Sequence, residues 1–311
     1  MSCFEDHHLP VGISWLERRI VNERTRRASP LTFSRQESQD TRSQTRLRRR
    51  RSALVRGAPR SCSHMRPSSG FDRVYAEKVW GKSGGGSGPG SSQLSTRRLS
   101  TALAVFVVSH GIDTFLDAAC GAMEWMPVTL EVIDELREVN GLAKRPASPP
   151  LNYTGTDIVG ALIERHEKTL RPGHPHWRFI HADMTDPGYP ELVGAHDLVM
   201  ARDVFFHLSS DKVLAALRNL KRTGSRWLLA THTPHLVQKN SDLPTSKPFG
   251  KELNEGGVRG LNLHTAPYNL PKSEWDITEH DYTDSGRRIR RTKKLSLWRL
   301  DMLSLPHIVA L

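Results

Sequence analysis

Four short apolar runs in the middle of the chain each end at an aspartate. They are "TFLDAAC" with Asp117, "NYTGTDIV" with Asp157, "HWRFIHADM" with Asp183 and "HDLVMAR" running into Asp203. Helical patterns lie between most of them. Strands alternating with helices can bury both sets of apolar side chains only as a mostly parallel sheet covered on both faces. In such sheets ligands sit outside the carboxyl ends of the strands, where the strand order reverses. One aspartate at a strand end is an ordinary helix cap. Four at the same edge of one sheet make a ligand-facing rim.

The helices are read from spacing. In Ser95 to Ile112, Leu99, Leu103, Phe106 and Val107 recur at helical intervals, and Gly111 supplies a stop. Leu130, Ile133, Leu136 and Val139 share a face in "TLEVIDELREVNGL", followed by "GALIERHEKTL" and "SSDKVLAALRNLKRTG", the last with Ser210 or Asp211 near its start and Gly224 at its end. "RWLLATHT" reads as a fifth strand and "RRTKKLSLWRLDML" as a closing strand, with residues 233–275 loop-rich between them. Asp117 and Asp157 lie 40 residues apart, and the excess over a compact unit is assigned to an inserted loop from Asn140 to Pro150.

"VWGKSGGGSGPGSS", Val79 to Ser92, resembles a phosphate-gripping loop at first sight. That loop needs Gly-x-x-x-x-Gly-Lys-[Ser/Thr] after a strand and before a helix. Here Ala76 stands where the first glycine belongs, no apolar strand precedes it, and Gly/Ser/Pro follow Lys82. The segment therefore reads either as a flexible linker or as the rim of some other site.

The charge is unevenly placed. Residues 1–66 hold 15 arginines, no lysine and six acids, so this first fifth carries +9 of the net +12. Residues 1–70 show no period that would bury a face, and the expectation is a disordered basic tail. Three readings stand for it: an inert tail, an organellar transit peptide, or a nucleic-acid contact through Arg48 to Arg51. Cys3, Cys62 and Cys120 form neither a disulfide framework nor a zinc pattern, which favours a cytoplasmic location, or an organellar one if the tail is a transit peptide. No run is long enough to span a bilayer, so no membrane partner is expected. His174 with His176, and His232 with His235, lack an acid or cysteine at ligand spacing, so no metal is expected.

The motifs taken in order resemble a class I S-adenosylmethionine-dependent methyltransferase of a bacterial-type subfamily. They are "VYAEKVWGKSGGGSGPGSS", "DAACGAMEWM", "YTGTDIV", "RDVFFHLS", "ALRNL" and "LNLHTAPYNLP". The resemblance covers roughly residues 71–300. It implies an α/β, Rossmann-like doubly wound, mostly parallel sheet of about seven strands with helices on both faces. The domains it implies are a tail over 1–70, a Gly/Ser-rich lead-in over 71–94 and a methyltransferase domain over 95–305. It implies S-adenosyl-L-methionine as cofactor. Asp117, Gly121 and Trp125 would flank its methionine moiety, Asp157 its ribose, and Asp183 and Met184 its adenine, with Ile158 among the cofactor residues. Arg202 would lie nearest the reacting methyl.

The first motif departs from the pattern, because Ala122 and Met123 stand where another glycine or an acid is common. The catalytic candidates are Arg202, Asp203 and His207. If a helical turn begins at Asp203, His207 shares its face at i, i+4 and is placed to act as a base; the alternative is that His207 caps or packs and Arg202 merely orients the loop. The acceptor pocket is assigned to the loops after strands four and five, including Asn262, Tyr268 and Asn269. The acceptor itself is not legible: a small molecule or a protein side chain. A hydride-transfer enzyme would need Gly-x-Gly-x-x-Gly, which "CGAMEW" lacks. The alternative from another class is a non-catalytic methyltransferase-like domain that binds RNA or a protein.

Overall fold

The computed structural model describes residues 70–144, 149–243, 257–282 and 287–305, all within one compact unit, Arg66–Leu311. The basic tail, read over residues 1–70, lies outside the described residues except for Gly70. Seven strands, β1 (Thr114–Ala118), β2 (Asn152–Asp157), β3 (Trp177–His181), β4 (Leu198–Ala201), β5 (Trp227–His232), β6 (Trp275–Tyr282) and β7 (Arg288–Arg299), form one sheet in the order β3-β2-β1-β4-β5-β7-β6. The first five run parallel, and β7 is antiparallel to both β5 and β6. The order turns back between β1 and β4, so the switch point falls between Asp117 and Arg202.

The sheet is covered on both sides because successive strand residues face opposite ways. Phe115, Leu198, Met200 and Leu229 enter one core, and Leu116, Val199, Ala201, Leu228 and Ala230 the other. The first core is closed by α2 (Gln93–Ser109), through Leu99, Leu103 and Val107, and by α3 (Met126–Lys144), through Leu130 and Ile133. The second is closed by α6 (Ser210–Arg222), through Val213, Leu217 and Leu220, and by Leu162 of α4 (Gly160–Thr169). Central strands buried on both faces carry continuous apolar runs. β4 and β5 are buried at every residue, whereas the edge strand β3 is not.

Several sequence expectations are corrected. α3 runs through Asn140 to Lys144, so half of the supposed insertion is helix. α6 starts at Ser210, with Ser210 and Asp211 near its start as expected, and is capped by Ser209, whose hydroxyl accepts from the Lys212 N–H. Two short helices and one strand were not read from the sequence: α1 (Phe71–Ala76), α5 (Tyr189–Val193) and β6. Among the described residues no helix is long and apolar enough to cross a membrane.

Candidate active site

A cleft opens at the carboxyl edge of the sheet over the switch point, with about 920 Å³ of empty space including its mouth. Its floor is the turn after β1. Ala119 and Cys120 donate backbone N–H groups to the Thr156 carbonyl, 2.9 and 2.8 Å. Gly121 N–H donates to Asp157 Oδ2 at 2.9 Å, and Ala122 N–H to Ser87 Oγ at 3.0 Å. From α4, His166 Nε2 donates to the Gly121 carbonyl and Arg165 to the Ala122 carbonyl, both at 2.8 Å. These bonds hold three left-handed residues, Ala119 (φ 81°), Gly121 (φ 59°) and Met123 (φ 55°). Two of them pay roughly 1–2 kcal/mol each for having a side chain there. Gly121 has no such latitude, because a Cβ would lie 2.8 Å from Ser87 Oγ and 3.1 Å from the Tyr75 hydroxyl. The turn thus forms with Ala122 and Met123 in place, and the carbonyls of Gly121 and Ala122 are secured from α4.

The Gly/Ser segment is part of the site. It forms two 3-10 turns, Ser83–Gly86 and Pro89–Ser91, with Gly84, Gly85, Gly86 and Gly88 all at positive φ. Ser87 Oγ lies 2.8 Å from the Tyr75 hydroxyl and also accepts from Ala122 N–H, tying α1 and the glycine turns to the floor. Phe71, Tyr75, Trp80, Ser87 and Ser91 line the cleft. Trp80 stacks on the His207 ring, with centroids 4.4 Å apart.

All the sequence-predicted cofactor residues line this one cleft: Asp117, Gly121, Trp125, Asp157, Ile158, Asp183, Met184 and Arg202. Asp157 is buried at the end of β2. Oδ2 accepts from Gly121 and Oδ1 from Val159 N–H, each at 2.9 Å. Burial raises its carboxyl above the usual range, against these backbone bonds. Each carboxylate oxygen accepts more than one hydrogen bond, so both retain capacity toward the cleft. Asp117 accepts from the Tyr153 hydroxyl at 3.0 Å, and burial pushes it up to about 7 against the pull of Tyr153 and Arg202. Asp183 Oδ1 accepts from the Thr185 N–H and hydroxyl, both at 2.8 Å. The loop it stands on is pinned by Asn219 of "ALRNL", which donates to the carbonyls of Met184 and Asp186 at 3.0 and 2.8 Å.

At the end of β4, Arg202 is buried and held from four sides. Its Nε and Nη2 donate to Glu279 Oε1 of β6 at 3.1 and 2.8 Å, Nη2 reaches the Gly90 carbonyl, Nη1 faces Asp203 at 3.3 Å, and the guanidinium lies over Trp125. Asp203 stands at φ 55° with its side chain 15% exposed. Oδ2 accepts from Lys293 of β7, while Oδ1 is buried with no hydrogen-bond partner among the described residues. Against the cost of burial, Arg202 and Lys293 hold Asp203 down at about 2.

The helical face expected for Asp203 and His207 does not form. Phe205–His207 is a 3-10 turn, and the left-handed Asp203 precedes it, so no α-turn joins the two. His207 lines the cleft, donates from Nδ1 to the Gly257 carbonyl at 2.7 Å and lies against Trp80. Asn262, Tyr268 and Asn269 are not in the lining. Asn262 links the segments Val237–Asn240 and His264 through its amide, and Tyr268 accepts from Arg259 inside the core. Asn262 and Tyr268 buttress the loop, and Asn269 is exposed. Glu279, Lys293, Ser87, Trp80 and Tyr75 were missed as site residues. Only the last three carried a sequence signal, through the aromatic and glycine-rich lead-in motif. Among the described residues no cluster of three metal-ligating side chains occurs.

No family model matches the chain, and no curated protein matches it. Solved structures do. One, described as converting a disulfide bond into a thioacetal group during echinomycin biosynthesis, is 17% identical over 75% of this chain and 93% of its own, at a TM-score of 0.43. The magnesium protoporphyrin IX methyltransferase of Synechocystis PCC 6803 with bound SAH is 14% identical over 75% and 95%, at 0.40. An O-methyltransferase family protein from Burkholderia thailandensis is 15% identical over 44% of this chain at 0.34, and the chain spans only 38% of it. The fold is α/β and Rossmann-like, a mostly parallel seven-stranded sheet covered by helices. At these scores the similarity says nothing about the site, whose chemistry rests on its own residues.

Proposed function

We propose that the protein is a methyltransferase that takes S-adenosylmethionine in this cleft. The observation that carries the reading is the charge of the lining. Asp117, Glu124, Asp157, Asp183 and Asp203 face Arg202 as the one arginine or lysine among the lining residues. An acidic, half-apolar cleft at the switch point of a parallel sheet suits a cation bearing a ribose and an aromatic base. When bound, the cofactor supplies an electrophilic methyl group. Asp157 binds the ribose hydroxyls, Asp183 accepts from the adenine amine, and Ile158 and Met184 pack on its ring. Asp117, Gly121 and Trp125 hold the methionine end, and the lead-in with Trp80 excludes water. Arg202, immobilised by Glu279, fixes the geometry between the two halves of the cleft. A second reading, a domain that binds without turnover, is favoured by one observation: the N–H groups of Gly121 and Ala122 are already taken by Asp157 and Ser87.

Calorimetric titration with S-adenosylmethionine and S-adenosylhomocysteine tests the cofactor assignment. Asp157→Ala removes charge-assisted bonds worth roughly 1.5–3 kcal/mol each, so affinity should fall at least tenfold in a folded variant. Unchanged affinity would show that the diol is held elsewhere. Transfer of a labelled methyl group into a cell extract separates catalysis from binding alone.

The Asp117 carboxyl near 7 adds a pH signature. Its ionised form favours the sulfonium over the neutral thioether, and the two compounds are otherwise alike. The affinity ratio of S-adenosylmethionine to S-adenosylhomocysteine should rise several-fold from pH 6 to pH 8, since one pKa unit corresponds to about 1.4 kcal/mol. Asp117→Asn should flatten the rise, and a ratio independent of pH in the wild type would remove Asp117 from the sulfonium's surroundings.

A further inference from the structure

Asp203 lines the cleft with one carboxylate oxygen held by two cations and the other without a hydrogen-bond partner among the described residues. It ends β4 on the switch-point side of the cleft, in a left-handed conformation. Lys293 and Arg202 both approach Oδ2, and the backbone N–H is spent on Thr231 Oγ1 at 3.1 Å. Oδ1 is buried and has no partner among the described residues. A buried carboxylate oxygen left unpaired is unfavourable, and such groups in folded proteins call for a ligand or a functional reason. Two cations fix the carboxylate, and its remaining oxygen can only accept. It therefore welcomes an N–H or O–H and repels a carboxylate or phosphate. The lining acids reinforce that exclusion.

Resting on the methyltransferase reading above, we propose that the methyl acceptor is an amine, whose nitrogen donates a hydrogen bond to Asp203 Oδ1 while it attacks. The bookkeeping favours nitrogen over oxygen. An alkylamine arrives as its ammonium, whose ordinary pKa of about 10 lets it release one proton to water before attack; the neutral nitrogen then attacks, the N–C bond forms, the S–C bond breaks, and the electron pair of the broken bond stays on sulfur. The positive charge passes to the nitrogen, beside the Asp203 carboxylate, and the N–H proton then leaves to water. A hydroxyl would have to surrender its proton during attack. Asp203, held down at about 2 by Arg202 and Lys293 against the cost of burial, is too weak a base to take it. His207 is anchored to the Gly257 carbonyl and stacked on Trp80, without the helical turn that would set it beside Asp203.

The full chain is incubated with a cell extract and S-adenosylmethionine carrying a 13C methyl group, and the products are examined by 13C–1H correlation spectroscopy. N-methyl products are expected, and O-methyl or S-methyl products overturn the proposal. If no product forms, binding decides. Protein saturated with S-adenosylhomocysteine is titrated with benzylamine, benzyl alcohol and benzoate. Benzylamine should bind at least tenfold more tightly than the other two, and Asp203→Asn should erase that preference. Absent or unselective benzylamine binding overturns the proposal whether or not the variant folds. Failure of S-adenosylhomocysteine to bind at the outset would instead overturn the cofactor reading.

Discussion

Glu279→Ala should destabilise the protein by about 3 kcal/mol or more, although Glu279 is remote from Arg202 in sequence and was invisible as a site residue. The Glu279 side chain is 2% exposed, and Oε1 takes two of the Arg202 donors. Removing one member of a buried pair leaves the other charge desolvated, at a cost of about 3–5 kcal/mol. Arg202 keeps Asp203 and the Gly90 carbonyl, so the lower end applies. Urea denaturation should show the loss as a lower midpoint at an unchanged slope. The double variant Arg202→Met with Glu279→Leu should recover much of the stability, because apolar replacement of a whole buried pair is often close to neutral. It should nonetheless lose methyl transfer. A single Glu279→Ala loss below 1 kcal/mol would mean that Arg202 is solvated, and the rigid wall assigned to it would go.

The same pair marks the limit of what the sequence discloses. The aspartates at the strand ends were legible because each follows a short run that reads as a strand of one parallel sheet. β6 was not, because "WDITEHDY" turns Glu279 inward where a strand pattern calls for an apolar residue. That inversion makes sense only once Arg202, 77 positions away, is known to need a counter-charge. The lead-in was ambiguous for a different reason. Its glycines fit a linker equally well until their positive φ values and the Ser87 bridge to Ala122 are seen. Asn262 and Tyr268 misled in the opposite direction. Polar side chains in a motif suggest a pocket, yet Asn262 is spent on loop hydrogen bonds and Tyr268 on Arg259. Local pattern therefore placed the rim of the cleft, whereas the residues that hold that rim in place depend on pairings across the sheet.

Acid should weaken the fold through a histidine outside the cleft. His232 ends β5 fully buried. Its Nδ1 accepts from Leu263 N–H at 3.3 Å, so Nε2 carries the proton and bonds Ser296 Oγ at 2.8 Å, and Ser296 donates onward to Asp276 at 2.6 Å. Burial, with His264 nearby, lowers His232 from 6.5 to about 3. The unfolded chain therefore binds a proton between those values that the folded chain refuses, and stability falls as pH drops through that window. The full interval corresponds to roughly 5 kcal/mol at about 1.4 kcal/mol per unit. Asp117 acts in the opposite sense. Its raised carboxyl favours the folded state below the unfolded value near 3.8, and that advantage is lost as pH rises through about 7. The wild-type profile should accordingly be shallow between pH 4 and pH 6.5. His232→Gln keeps a donor for Ser296 but cannot titrate, so denaturation midpoints of that variant should rise on acidification across this range while those of the wild type hold or fall. Parallel profiles for the two proteins would show that His232 takes up its proton without leaving the folded state.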